Sequence, residues 1–142
     1  MPEQNYHNHR RWVPVYHFVL PLAILAGLGG SVVNLYHADE HTHYGAALIV
    51  LLFLCLLPIF FYLRGFALKA QDRAIQAEEN LRHFALTGAL LDSRLSARQI
   101  VGLRFAADAE FVELAKRAAE EGLSETAIKQ AIGAWRADTY RV

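Results

Sequence analysis

The sequence predicts an all-α protein, in which a two-helix transmembrane hairpin precedes a small cytoplasmic domain of three or four helices. Residues 15–35 and 45–63 contain no Asp, Glu, Lys or Arg, and each run is long enough to cross a hydrocarbon core, which takes about 20 helical residues. Residues 69–142 instead carry 22 of the 28 charged residues. Apolar residues there recur at helical spacing, and no segment alternates as a strand does.

The first transmembrane helix is predicted over 13–36, after a polar cytoplasmic arm, 1–12. Pro21 lies inside this span, removes a backbone hydrogen bond and predicts a kink. Small residues recur at every fourth position in two ladders, which would let another helix approach closely. The ladders are Ala23, Gly27, Ser31 and Ala26, Gly30, Asn34. The residues predicted to pack against the second span or another protein are Ala23, Gly27, Gly30 and Ser31.

A short outer loop, 37–43, leads to the second transmembrane helix, 44–68, whose side chains are bulky on all sides. Lys and Arg concentrate on the cytoplasmic side of membrane proteins. The loop has neither, whereas basic residues lie at or beyond the other end of each span: Arg10, Arg11, Arg64, Lys69 and Arg73. We therefore expect a two-pass protein with both termini in the cytoplasm and the lipid bilayer around its hairpin.

The cytoplasmic helical domain is predicted over 69–142. The second span is expected to continue as a helix to about residue 91. Its surface permits a Glu78–Arg82 pair four residues apart, and the acidic residues Asp72, Glu78 and Glu79 are expected on a solvated face. A domain of this size has a marginal core by itself, so docking on a partner or on the membrane is expected.

Helix-start and helix-end residues divide the rest of this domain. Ser96 with Gln99 predicts a capping box, Asp108 and Ser124 are predicted N-caps, and Gly122 is predicted to end a helix in the left-handed conformation. Two apolar stripes at helical spacing predict one shared core. They are Phe111, Leu114, Ala115, Ala118 and Ile128, Ala131, Ile132, Trp135.

The composition argues against several kinds of function. Cys55 is the single cysteine, so neither an internal disulfide nor a cysteine zinc site can form. The 14 Lys and Arg balance 14 Asp and Glu, which argues against nucleic acid as a partner. The chain contains no nucleophile elbow, P-loop, GxGxxG or HExxH motif. We therefore predict no enzymatic activity and no cofactor.

Histidines are the remaining candidates for chemistry. His17, near the start of the first span, is a candidate ligand for haem or a pigment. Snorkelling to the membrane interface or a hydrogen bond between helices is the simpler interpretation. The outer loop places His37, His41 and His43 beside two carboxylates, a ligand set that suits zinc or copper. A solvated turn between two spans is the simpler interpretation of the loop.

Two strings of residues carry a resemblance to a known family. They are Gln4-Asn5-Tyr6-x-Asn8-His9-x-Arg11-Trp12-Val13-Pro14-x-Tyr16-His17 and Gln71-Asp72-Arg73-x-Ile75-x-x-Glu78-Glu79-x-x-Arg82. Together they resemble an uncharacterised family of bacterial two-pass inner-membrane proteins, classed as a domain of unknown function. The resemblance covers nearly the whole chain. It implies a bacterial inner-membrane protein of this architecture, and it carries no activity, cofactor or catalytic residue.

These observations favour a non-catalytic accessory subunit of a larger membrane complex, such as a respiratory or photosynthetic one. Its hairpin would pack on other membrane protein subunits through the first span, and its helical tail would dock on a cytoplasmic surface. Two alternatives stay open. One is a membrane protein that binds a metal, haem or pigment through His17 or the loop histidines. The other is a homo-oligomeric membrane adaptor that recruits a soluble partner.

Overall fold

The computed structural model describes residues 4–8 and 12–138, and five α-helices account for most of them. The bounds are α1 Leu20–His37, preceded by a π-helical turn Val15–Val19, α2 His43–Thr87, α3 Ala97–Leu103, α4 Asp108–Glu121 and α5 Glu125–Ala131. In this part of the chain the only strand-like pairing is an isolated bridge between Ala106 and Trp135. The prediction of an all-α fold is confirmed.

The chain forms two compact units. The hairpin unit comprises residues 11–66, and the tail unit comprises residues 67–142 together with residues 1–10. The arm, predicted as a separate segment, thus groups with the tail: Asp138 N donates to Gln4 Oε1 at 2.8 Å. The flanking basic residues Arg10 and Arg11 lie outside the described residues.

Two helices are long and apolar enough to cross a membrane, Val15–His37 and His43–Thr87. Only 11% and 6% of their most apolar windows is buried. A core helix of a soluble protein would be mostly buried, because its apolar face must leave water. The exposed apolar surface of these helices therefore suits a lipid or protein environment.

Within the hairpin unit, contacts join the first helix to the early part of α2. A Cβ added to Gly27 would lie 2.2 Å from Phe53 Cε1, so the ring occupies the space above that glycine. Towards the other end, Tyr16 stacks on Phe60 with ring centroids 4.7 Å apart, and its hydroxyl donates to Phe60 O. The contact nearer the N-terminus of the first helix, Tyr16, is made with the residue further along α2, Phe60. This reversed order is the pattern of an antiparallel hairpin.

Pro21 accounts for the π-helical turn that precedes it, Val15–Val19. Proline has no N–H, and its ring crowds the carbonyl four residues earlier, that of His17. The chain responds by widening the preceding turn, in which Leu20 N–H donates to Val15 O, five residues back. The sequence predicts a distortion here, and the structure shows its form.

The tail unit has one continuous hydrophobic core, to which all of its helices after α2 contribute. Its fully buried large side chains are Leu103, Phe105, Phe111 and Ile128. The predicted stripe residues Leu114, Ala115, Ala118 and Ile132 are also buried in it, and Trp135 packs against it. The prediction of a shared core is confirmed, except that Ala131 is exposed.

Most predicted helix ends are confirmed. Ser96 and Gln99 form the capping box. The Ser124 hydroxyl accepts from Ala127 N at 3.1 Å. Gly122 ends α4 with φ 64° and ψ 36°, a left-handed conformation that glycine adopts without a steric penalty.

Three predicted boundaries are wrong. Asp108 is the first residue of α4 and Ala107 is its N-cap. The helix predicted to continue to about residue 91 ends at Thr87, where Gly88 takes a φ of 77°. The last helix ends at Ala131 and does not reach Trp135.

Candidate functional site: interaction surfaces

The structure separates the two small-residue ladders of α1. Ser31 is buried and its hydroxyl donates to Leu28 O at 2.8 Å, and Gly27 lies against Phe53. Gly27 therefore belongs to the contact between the hairpin helices, and Ser31 lies buried one turn further along the same ladder. Ala23, at the start of the same ladder, is exposed.

The second ladder is open. Ala26, Gly30 and Asn34 are all exposed, and a Cβ added to Gly30 would meet no atom within 4 Å. We call these three residues the open ladder. The absence of side-chain bulk leaves a shallow groove along the helix surface, which is the shape that lets another transmembrane helix approach closely.

His17 bonds locally. Its Nδ1 lies 2.9 Å from Val13 O and 3.1 Å from Val13 N, and its ring meets Trp12 edge to face at 5.1 Å. A side chain engaged with the first helical turn in this way stabilises the start of the helix, where backbone groups lack helical partners. These hydrogen bonds lie within one helical turn and do not join two helices, and the expected roles of His17 stay predictions.

Asp39 organises the outer loop. Its Oδ1 accepts hydrogen bonds from Thr42 Oγ1 at 2.7 Å, from Thr42 N at 2.9 Å and from His41 N at 3.1 Å. The bond from the Thr42 hydroxyl is the main cause of the lowered pKa of Asp39. The carboxylate therefore fixes the tight turn that precedes α2.

The loop histidines do not converge. His37 Nδ1 lies 2.9 Å from Val33 O, one turn back in α1, and His41 and His43 are exposed. Within residues 4–8 and 12–138, no group of three or more His, Cys, Asp or Glu side chains is arranged to hold a metal ion.

Arg82 is an anchor that the sequence argument missed. Its guanidinium donates to Glu79 Oε2 at 2.9 Å, to Asp108 Oδ1 at 2.7 Å and to Ala106 O at 2.7 Å. Its Cζ also lies 4.1 Å from the centroid of the Phe111 ring. Arg82 thus ties the end of α2 to the start of α4. The expected partner was Glu78, which is exposed.

Glu79 contradicts the expectation of a solvated acidic face. It is 4% exposed and pairs with both Arg82 and Arg136, the latter at 3.6 Å. A buried carboxylate is stable only with such partners. Ile75, Glu79 and Arg82 follow each other at helical spacing, and this one-face pattern was the signal available in the sequence.

Arg104 is a second buried cation that the sequence argument missed. It is 9% exposed, and burial lowers its pKa from the ordinary value, with Asp138 opposing that shift. Its Nε lies 3.2 Å from Asp138 Oδ2. This is an ion pair without hydrogen-bond alignment, since Nε and Nη1 have no hydrogen-bond partner among the residues that the structure describes. The backbone of Asp138 also exchanges hydrogen bonds with the Gln4 side chain, so Asp138 contacts both Gln4 and Arg104, the residue that follows α3.

The chain can also be compared with known proteins. No curated protein and no solved structure matches it. The family of unknown function DUF6526 matches it over residues 1–142. That match covers the complete sequence, in agreement with the resemblance to an uncharacterised family, and the chain therefore belongs to the DUF6526 family.

Proposed function

We propose that this protein is a non-catalytic accessory subunit of a larger complex in the inner membrane of a bacterium. In this proposal the hairpin unit crosses the membrane twice and both termini are cytoplasmic. Its partners are other membrane protein subunits, which bind the first helix within the bilayer.

The open ladder is the observation that carries this proposal. An added Cβ at Gly30 would meet no atom of residues 4–8 and 12–138 within 4 Å, whereas Phe53 already occupies the neighbouring ladder at Gly27. In a bilayer, close backbone approach at small residues is a main source of helix association, because lipid tails solvate bulky apolar residues as well as another helix does. A transmembrane helix of a partner subunit fits this groove.

The second span supports the same division of roles. Several of its large apolar side chains are exposed, among them Leu51, Leu52, Ile59 and Phe61. A helix surface of bulky apolar side chains has no groove for a partner helix, and lipid tails contact it as favourably as a protein does. We therefore assign lipid contact mainly to α2 and subunit contact mainly to α1.

The tail unit supports docking through its packed surface, whereas the sequence led us to expect docking because of a marginal core. Its core and the Arg82 anchor give it internal packing. Its contribution to a complex would be a preformed cytoplasmic surface. Preformed surfaces bind with little ordering cost.

The experiment is a glycine-to-leucine comparison in full-length protein expressed in its own host. Gly30→Leu adds bulk where the described part of the chain leaves open space, so the hairpin should be unaffected while the partner is pushed away. We expect it to insert into the membrane but to lose co-purifying subunits in mild detergent, at a cost of about 1–2 kcal/mol of association free energy. Blue-native gels and mass spectrometry of the same fractions measure this.

Gly45→Leu is the matched control. Gly45 is also an exposed helical glycine with no atom within 4 Å of an added Cβ, but it lies on α2. It should keep the wild-type assembly. If Gly30→Leu migrates with the wild type and retains the same subunits, the proposal loses the observation that carries it.

A further inference from the structure

The part of α2 that lies in the tail unit, residues 67–87, has two different faces. One packs into the tail: Ile75 is 6% and Glu79 4% exposed. The opposite face is apolar yet exposed, with Leu81 at 67% and Phe84 at 50%. Its exposed members are Ala70, Ala74, Ala77, Leu81 and Phe84. We call these five residues the α2 seam.

The seam has the spacing of a coiled coil. Its intervals are four, three, four and three residues, which place Ala74 and Leu81 at a positions and Ala70, Ala77 and Phe84 at d positions of a heptad. The f position of the central heptad is Glu79, which is buried in the tail. Because f lies opposite a and d, a second helix can reach the seam without displacing the tail core.

The charged residues beside the seam indicate which helix can pack on it. Arg73 occupies a g position and Glu78 the e position of the next heptad, and both are exposed. Neither forms an ion pair within the described parts of the chain. In a parallel two-stranded coiled coil, a g residue faces the e residue five positions further along the partner. Two copies of this chain would therefore form the Arg73–Glu78 pair twice.

We propose that the α2 seam is a homodimer interface, a parallel two-stranded coiled coil between two copies of this chain. The parallel direction rests on the proposed membrane insertion, since both copies of α2 would then leave the bilayer on the same side. Three alanines at the seam give small contacts and a close helix approach. Such a short coiled coil is weak in isolation, but anchoring in one membrane raises the effective concentration of the two helices.

The first test is disulfide cross-linking of the full chain in membranes, in a Cys55→Ala background. Ala77→Cys places a thiol at a d position, where two copies bring like positions together. Leu86→Cys is the matched control, because Leu86 is also exposed, at 45%, but occupies an f position. Mild oxidation should convert Ala77→Cys to a covalent dimer and leave Leu86→Cys monomeric. Equal yields, or cross-linking of Ala77→Cys to a different protein, would overturn the proposal.

The second test exchanges the charges. Arg73→Glu or Glu78→Arg alone sets two pairs of like charges against each other, and each should weaken self-association on the order of tenfold. The double variant restores both pairs with reversed polarity and should recover the wild-type dimer. A double variant as weak as either single variant would refute the parallel pairing.

The outcomes also separate this proposal from the accessory-subunit proposal. A chain that is monomeric in the membrane fraction overturns the homodimer alone. A chain that cross-links through Ala77→Cys but does not fractionate with membranes overturns the proposed function and leaves the seam as an interface. Gly30→Leu changes no seam residue and should leave the cross-linking yield unchanged.

Discussion

At the scale of residues, Glu78 and Glu79 are neighbours in sequence but occupy different sides of α2. Glu79 faces the tail core and holds Arg82, while Glu78 is exposed. Spacing of four residues favours a Glu78–Arg82 pair on an isolated helix. Packing overrides that preference, because the Arg82 guanidinium also reaches Asp108, Ala106 O and the Phe111 ring.

This difference predicts opposite outcomes for two equivalent substitutions. Glu79→Gln leaves Arg82 buried without its charged partner on α2 and should destabilise the tail by about 3 kcal/mol, since breaking a buried pair costs more than the pair contributes. Glu78→Gln should change the free energy of unfolding by less than about 0.5 kcal/mol. Denaturant unfolding of the full-length protein measures both. Equal effects would show that Arg82 pairs with Glu78 in solution.

Asp92 predicts a specific titration. The Arg94 side chain donates to it, with Nη2 2.7 Å from Oδ2, and lowers the pKa of Asp92 from 3.8 to about 2. Because the folded pKa is below that of the unfolded chain, the carboxylate favours folding above a pH of about 4, and this contribution is lost as the pH falls towards 2. The Asp92 carboxylate is exposed, so its lowered pKa changes its titration but contributes little to the free energy of unfolding.

Arg94→Ala tests that assignment. The pKa of Asp92 should rise towards 3.8 but stay below it, because Arg94 N still donates to Asp92 Oδ1 at 2.9 Å. Asp39, whose pKa is lowered by Thr42, should not change. Carboxyl NMR shifts measured against pH report both groups. An unchanged Asp92 titration would assign the low pKa to the backbone alone.

At the scale of elements, features fixed by neighbouring residues were predictable from the sequence. The capping box at Ser96 and the glycine end of α4 depend on side chains and backbone within a few positions. The end of α5 was not predictable in this way. Arg136 N donates to Phe105 O at 2.7 Å and Ala107 N to Ala134 O at 3.0 Å. These hydrogen bonds to distant backbone groups replace helical ones, so the helix ends before Trp135.

The buried stripe of α4 predicts a cost for shortening it. Leu114 is 5% exposed within the core, so Leu114→Ala should destabilise the tail by about 2–5 kcal/mol. Leu90→Ala removes the same atoms from a side chain that is 66% exposed and should cost less than about 0.5 kcal/mol. Thermal melting of both variants makes the comparison. If they melt alike, α4 presents its stripe to a partner.

At the scale of the whole molecule, the sequence predicts two long apolar helices and a charged helical tail, and the structure has both. The sequence could not tell which ladder of α1 faces inward, because both ladders have the same spacing and both begin with Ala and Gly, followed by Ser31 in one and Asn34 in the other. The contact that determines the inward ladder is that of Gly27 with Phe53, which lies 26 residues further along the chain. Residue type alone makes the histidines candidates, whereas the local contacts of His17 and His37 with backbone carbonyls depend on atomic positions that the sequence does not specify.

The membrane topology is the last prediction and the one on which the compartments depend. Basic residues flank the spans and are absent from the loop 37–43, so the loop should face the periplasm and the tail the cytoplasm. In a Cys55→Ala background, a membrane-impermeant thiol reagent applied to intact cells should label Thr42→Cys and not Arg98→Cys. Both positions are exposed in the structure, so accessibility within the protein does not explain a difference. Permeabilised cells should label both. Labelling of Arg98→Cys alone in intact cells would invert the topology and move the α2 seam and the Arg82 anchor to the outside.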